Sequence, residues 1–261
     1  MRCSLHVKTC AALASLAFAT AGCFNPFSPI VSNQRAASVP APVPNSPVNA
    51  IKLFQWCYDN RAVAQYREVF TDDYRFQFSQ SDSAGNQYRS APWTRTDELS
   101  YATNIFVGSP PDRLPAKQIT LALANSLVPL PDSRPGTNPR WHQQIRTTVT
   151  LNVTEDTGNG NGIQDNVNGY ALFYLVRGDS AVIPDELKAR GFVPDSTRWW
   201  IQRWDDETIT TGATAALPAG PGALAAGRAG AASARRATGA DPIPIVARYD
   251  LTMGELKVKF R

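Results

Sequence analysis

Ala50-Ile51-Lys52-Leu53-Phe54-Gln55-Trp56-Cys57-Tyr58-Asp59-Asn60-Arg61, followed closely by Tyr66-Arg67-Glu68-Val69-Phe70-Thr71-Asp72-Asp73-Tyr74-Arg75-Phe76, is the stretch on which the fold turns. Val48, Ile51, Phe54 and Tyr58 recur at helical spacing, and Leu53, Trp56 and Cys57 broaden the apolar stripe. Ser46-Pro47 in front supplies an N-cap and a proline at the first helical position, where its missing N–H has no intrahelical partner to lose. After Asn60-Arg61 a second short helix carries Val63, Tyr66, Val69 and Phe70. Thr71-Asp72-Asp73 reads as the turn that ends it, because Asp side chains bond the local backbone. The period then changes to two. Tyr74, Phe76 and Phe78 share one face and Arg75, Gln77 and Ser79 the other, which predicts a half-buried strand.

Beyond a polar loop at 81–90, Thr94 and Asp97 form a capping box that opens a third helix with Leu99, Ala102, Ile105 and Phe106 inward. Pro110-Pro111 marks its end, and everything after reads as sheet. Ile119, Leu121 and Leu123 alternate, as do Ile145, Thr147, Val149, Leu151 and Val153. Residues 170–176 are nearly all apolar, and 199–204 form an aromatic strand. Alternation places Trp199 and Trp200 on opposite faces, with Trp204 on the face of Trp200. The Gly-, Asn- and Asp-rich segment 155–169 reads as a wide hairpin. Segment 212–240, dominated by Ala and Gly with no periodic apolar face, reads as a flexible insertion. Apolar patterning resumes at 243–251 and 256–260, which predicts a last strand on the same sheet. The predicted class is α+β, with three N-terminal helices packed on the concave face of a curved, mostly antiparallel sheet.

The residues quoted at the outset resemble the opening of NTF2-like (SnoaL-like) domains, in which a helix pair ends in an acidic turn and an aromatic strand enters a cone. The likeness is densest over 46–106, looser over 117–207 and thinnest after 241. It implies an NTF2-like cone. The family includes isomerases, dehydratases, hydrolases and many binding modules, so the resemblance carries shape rather than chemistry.

Residues 1–22 have the form of an export signal. Arg2 and Lys8 flank a short basic region, and Ala11 to Ala21 make an apolar run too short to span a bilayer. Two cleavage readings stay open. Ala19-Thr20-Ala21 is an A-x-A site whose use would release a soluble secreted protein. Ala21-Gly22-Cys23 resembles the end of a bacterial lipobox, with Thr20 where leucine is usual, and implies lipid attachment at Cys23. Residues 23–45, rich in Pro and Ser, cannot bury enough surface to fold and suit a disordered tether. The expectation is a bacterial envelope protein, lipid-anchored and facing the periplasm or the exterior, with one domain over 46–261. Cys3 and Cys10 leave with the signal, so Cys57 has no partner for an internal disulfide and reads as a small buried hydrophobe. The formal charge of +4 falls to about +2 without Arg2 and Lys8, and no basic patch suggests a nucleic-acid partner.

Candidate chemistry is sparse. His142, beside Trp141, is the one histidine of the mature chain; it reads either as a general base at the rim of the cone or as an exposed residue at a strand start. Asp72 and Asp73 look like paired carboxylates but fit turn chemistry better, and Asp205, Asp206 and Glu207 read as a solvated strand end. No Gly-x-Ser-x-Gly elbow occurs. The run from Asp156 to Asp165 echoes a calcium loop, but Thr157 stands in the first ligand place and Asn168 in the twelfth. A hairpin tip accounts for it better. No catalytic, cofactor-binding or metal-binding residue is assigned. The expected function is a non-catalytic domain that binds a small apolar ligand or a protein partner. The alternatives are an isomerase-, dehydratase- or hydrolase-type enzyme and a structural accessory subunit. Ionisable side chains inside an open cone would favour the enzyme, and a filled cone with a large exposed apolar patch would favour the accessory subunit.

Overall fold

The computed structural model describes residues 39–80, 82–88, 90–109, 113–178, 182–209 and 243–261. The expected signal at 1–22, Cys23, most of the expected tether and the expected insertion at 212–240 lie outside these residues. Among the described residues the N-terminal part holds three helices: α1 (Pro47–Asn60), α2 (Val63–Arg67) and α3 (Arg95–Phe106). The strands of the described residues are β1 (Phe70–Gln77), β2 (Trp93–Thr94), β3 (Gln118–Leu123), β4 (Leu130–Pro131), β5 (His142–Asp156), β6 (Gly162–Arg177), β7 (Trp199–Ile209) and β8 (Ile245–Leu251). Two further helices are α4 (Asp185–Ala189) and α5 (Met253–Lys259).

Local chemistry starts the helices where the sequence signals them. The Ser46 hydroxyl accepts from the Asn49 N–H (3.2 Å), and Thr94 and Asp97 close a reciprocal capping box on α3. The strands form one sheet in the order β2-β1-β7-β6-β5-β3, with β4 on β5 and β8 on β6. Pairing is antiparallel except between β1 and β7 and between β6 and β8. Helix α1 packs against β3, β5 and β7, strands from both halves of the sheet, so the sheet curves around it. This is the expected α+β class. Ile51, Phe54, Tyr58, Ala102, Ile105 and Phe106 face inward as predicted. Phe54 alone contacts the rings of Tyr58, Tyr66, Phe70, Phe173 and Trp204. Each such side chain contributes roughly 1.5–3 kcal/mol by leaving water.

Several local expectations are corrected. Asp72 and Asp73 lie within β1, not in a turn before it, on the solvent side of an irregular stretch between Phe70 and Arg75. The 155–169 hairpin is narrower than expected, because β5 and β6 pair out to Asp156 and Gly162. Trp204 shares a face with Trp199 rather than Trp200. Leu175 pairs with Ile201 and Tyr174 with Arg203, so Gln202 is an extra residue that shifts the alternation by one. Trp200 instead packs on the outer face with Val176, Ile183 and Leu187 under α4. The region after α3 is therefore not all sheet. The last strand expected on the same sheet forms as β8 on β6, but 256–260 do not extend it: 253–259 turn back as α5.

Candidate functional site

The interior of the cone is organised around Glu98 and Lys257, both fully buried. Glu98 stands in the first turn of α3, on the side that faces the sheet. Its Oε1 accepts from the Tyr66 hydroxyl (2.6 Å) and from the ammonium of Lys257. Its Oε2 accepts from Trp93 Nε1 (2.9 Å) and the Tyr74 hydroxyl (3.3 Å). Four donors thus serve the two carboxylate oxygens. That is the degree of satisfaction a buried charge requires. Burial holds the Tyr66 and Tyr74 phenols well above their ordinary pKa, so both remain donors.

Lys257 enters this interior from α5. Its Nζ lies 4.4 Å from the ring centroid of Trp204, 4.6 Å from Tyr101, 4.7 Å from Phe76 and 6.0 Å from Trp93. Burial lowers the Lys257 pKa and Glu98 opposes the shift. Around the ammonium the ring faces supply negative quadrupole, which attracts a desolvated cation.

Helix α5 is seated by polar contacts at both ends. Thr252 and Glu255 form a second capping box, and the Thr252 hydroxyl donates to Asp82 Oδ2 (2.7 Å). Asp206 Oδ2 accepts the Gly254 N–H (3.0 Å), while its Oδ1 holds Thr208, whose hydroxyl accepts the Met253 N–H (2.7 Å). Asp206 is therefore a buried anchor rather than part of a solvated strand end, and burial pushes its carboxyl up to about 6. At the other end Lys259 pairs with Asp165 (2.6 Å) and Glu155, and Arg261 with Asp97 (2.6 Å). Met253, Leu256 and Phe260 add apolar contacts to the main core.

The other sequence candidates lie elsewhere. His142 begins β5, half-exposed, and its Nδ1 accepts from the Asn138 N–H (3.1 Å); among the described residues it has no carboxylate partner. Asp73 is exposed and accepts from Gln202 (2.9 Å), and Asp205 pairs with Arg203 (2.5 Å). In the calcium-like run, Asp156 accepts the Gly158 N–H (2.8 Å), Asn159 accepts the Asn161 N–H (3.2 Å), and Asp165 turns to Lys259. Those oxygens serve the hairpin and α5. Among the described residues no group of three or more His, Cys, Asp and Glu side chains could hold a metal ion. Cys57 is buried, and burial, aided by the charge of Glu68, pushes its thiol up to about 12, as suits an inert hydrophobe. A surface depression of about 390 Å³ lies at the end of β1, lined by Phe76, Phe78, Gly85 and Tyr88 among others.

Sequence patterning singles out neither Glu98 nor Lys257. Glu98 passes for an ordinary acidic residue of a first helical turn, and Lys257 for the exposed face of a strand. The usable signal is Thr252-x-x-Glu255, the same capping box that announces α3.

No family model matches the chain, and no curated protein matches it. Among solved structures it is similar to a conserved protein from Planctomyces limnophilus, at 12% identity over 62% of this chain and 92% of that one, with a TM-score of 0.39. It is also similar to a ketosteroid isomerase-like protein from Erwinia carotovora atroseptica, at 11% identity over 62% and 92% of the two chains (TM-score 0.35). A third similar structure is ActVI-ORFA from Streptomyces coelicolor, at 12% identity over 62% and 92% (TM-score 0.34).

Proposed function

We propose that this chain is a lipid-anchored bacterial envelope protein whose NTF2-like domain is non-catalytic and acts through a protein partner. The observation that supports this reading most is the placement of Lys257 inside the cone. An acid–base enzyme needs an open pocket into which an ionisable side chain projects. In this domain the inward-pointing carboxylate is already saturated by Tyr66, Tyr74, Trp93 and Lys257, and none of these groups is exposed. A substrate for an isomerase-type reaction would first have to expel α5. An apolar ligand would meet the same obstacle, which favours the protein partner. The anchor rests on Ala21-Gly22-Cys23 and the Pro-rich tether behind it. Among the described residues no helix is long and apolar enough to cross a membrane.

Two measurements test the reading. Reductive methylation of the native protein, mapped by mass spectrometry, should modify exposed Lys52, Lys117 and Lys188 and spare Lys257 until the chain is unfolded. Rapid native modification of Lys257 would overturn the closed cone. Mass spectrometry of the mature N-terminus from an expressing bacterium should find Cys23 acylated. An unmodified chain starting at Gly22 would replace the anchored protein with a secreted one.

A further inference from the structure

The groups around the Lys257 ammonium are themselves a receptor. We propose that the cone interior is a recognition site for a primary alkylammonium ion, built from Glu98 and the rings of Phe76, Trp93, Tyr101 and Trp204, and that Lys257 occupies it in cis. This rests on the closed-cone reading and names the ligand chemistry of the same site.

The composition of the site is specific to a cation. An apolar core that only needed filling would be served by a leucine or methionine at 257, at no desolvation cost. Instead four aromatic faces lie 4.4–6.0 Å from one nitrogen, and a carboxylate closes the remaining side. Aromatic faces attract a desolvated ammonium, and a carboxylate accepts its N–H, so the pair selects charge as well as size. The receptor is also assembled without Lys257. Glu98 is held by Tyr66, Tyr74 and Trp93, and these with Phe76, Tyr101 and Trp204 belong to α2, α3, β1, β2 and β7 rather than to α5. Removing the lysine side chain therefore leaves a walled space whose polar end still points at the missing nitrogen.

The test uses the full-length chain carrying Lys257→Ala, followed by thermal unfolding with n-butylammonium, n-butanol or n-butyrate. The proposal requires a saturable rise of the midpoint with butylammonium alone, about 3–6 °C once the amine reaches ten times its dissociation constant. In the double variant Glu98→Gln/Lys257→Ala that rise should be lost. Equal stabilisation by butanol would mean an apolar cavity, and no stabilisation by any probe would mean no site; either overturns the proposal. Should Lys257→Ala not fold unaided, refolding yield with each probe becomes the readout. Amine-specific recovery supports the site, and no recovery overturns it, given that Lys257→Met folds. Labelling of Lys257 in the native protein would refute the closed cone while leaving the amine result to stand or fall by itself.

Discussion

Lys257 Nζ and Glu98 Oε1 meet as a buried ion pair, each side chain without exposed surface, although 159 positions separate them in the sequence. One partner comes from α3 and the other from α5, so the contact ties the last described helix to the N-terminal helices. Such a pair is poor evidence of net stabilisation, since desolvation offsets attraction; losing one partner is what is costly.

Single substitutions should therefore be severe and the double one milder. Lys257→Met leaves the Glu98 charge with three neutral donors, and Glu98→Gln leaves a buried ammonium among rings. Each should cost about 3–5 kcal/mol, while the double variant should cost less than the sum by at least about 1 kcal/mol. Urea unfolding of the four proteins measures this. Strict additivity would mean that the two groups do not interact.

Gly254 gives a prediction with an unusual sign. Replacing a glycine inside a helix by alanine normally stabilises by about 1 kcal/mol. A Cβ at Gly254 would stand 2.1 Å from Asp82 Oδ2 and 2.5 Å from Phe78 Cδ1, so α5 would have to lift from its seat. Gly254→Ala should destabilise by roughly 1–3 kcal/mol and speed amide exchange in 253–260. A stabilised variant would contradict the close docking of α5.

What the sequence makes legible follows the range of the forces involved. Ser46 and Thr94 announce their helices because capping is settled within four residues. The inward faces of α1 and β1 are readable because burial follows the local period. Trp204 is misplaced by alternation because the extra residue Gln202 is chosen by pairing with β1 and β6, which no local pattern encodes. For 256–260 two periods compete: Leu256, Val258 and Phe260 alternate as in a strand, while Met253, Leu256 and Phe260 mark a helical face. The Thr252–Glu255 box decides for the helix, and that choice turns Lys257 inward. Glu98 and Asp206 acquire their roles only through this docking.

Asp206 should make the protein more stable as pH falls. Burial raises its carboxyl to about 6 in the folded chain, with Asp82 adding to the rise and hydrogen bonds from Thr208 and Gly254 opposing it. Lys257 is a further charge nearby. The unfolded value is about 3.9. The folded state thus binds the proton more tightly, and stability rises as pH falls from about 7 toward about 4, by up to about 2–3 kcal/mol from this group. Asp165, raised by burial against the pull of Lys259, acts in the same direction. Urea midpoints at pH 7, 6 and 5 should increase in that order, and Asp206→Asn should flatten the rise without abolishing it. A midpoint that falls over this range would refute the assignment.

The connection between β7 and β8 should tolerate shortening but not outright removal. Both strands use the edge of β6 that β5 leaves free: β7 reaches Asn168 with Ile209, and β8 starts opposite Gly162 with Ile245. Six positions of β6 separate these ends, about 20 Å at about 3.3 Å per residue. Deleting 212–240 outright leaves six residues between Ile209 and Ile245. Fully extended they reach only slightly farther than that, at about 3.3–3.6 Å each, and they must also pass around β8. The bare deletion should therefore be destabilised. Adding back about eight Gly and Ser residues should bring stability to within about 1 kcal/mol of the full chain, because closure entropy changes by only about 0.6 kcal/mol per doubling of loop length. Removing 243–261 has a different consequence. It strips Met253, Leu256 and Phe260 from the core and leaves Glu98 buried without its cation. At roughly 1.5–3 kcal/mol per large apolar side chain, plus the unpaired charge, the loss rivals the 5–15 kcal/mol that holds a typical domain together. Circular dichroism should find a cooperative melt in the bridged deletion and none in the truncation. A truncated chain that still melts cooperatively would show that α5 sits on a cone already stable without it.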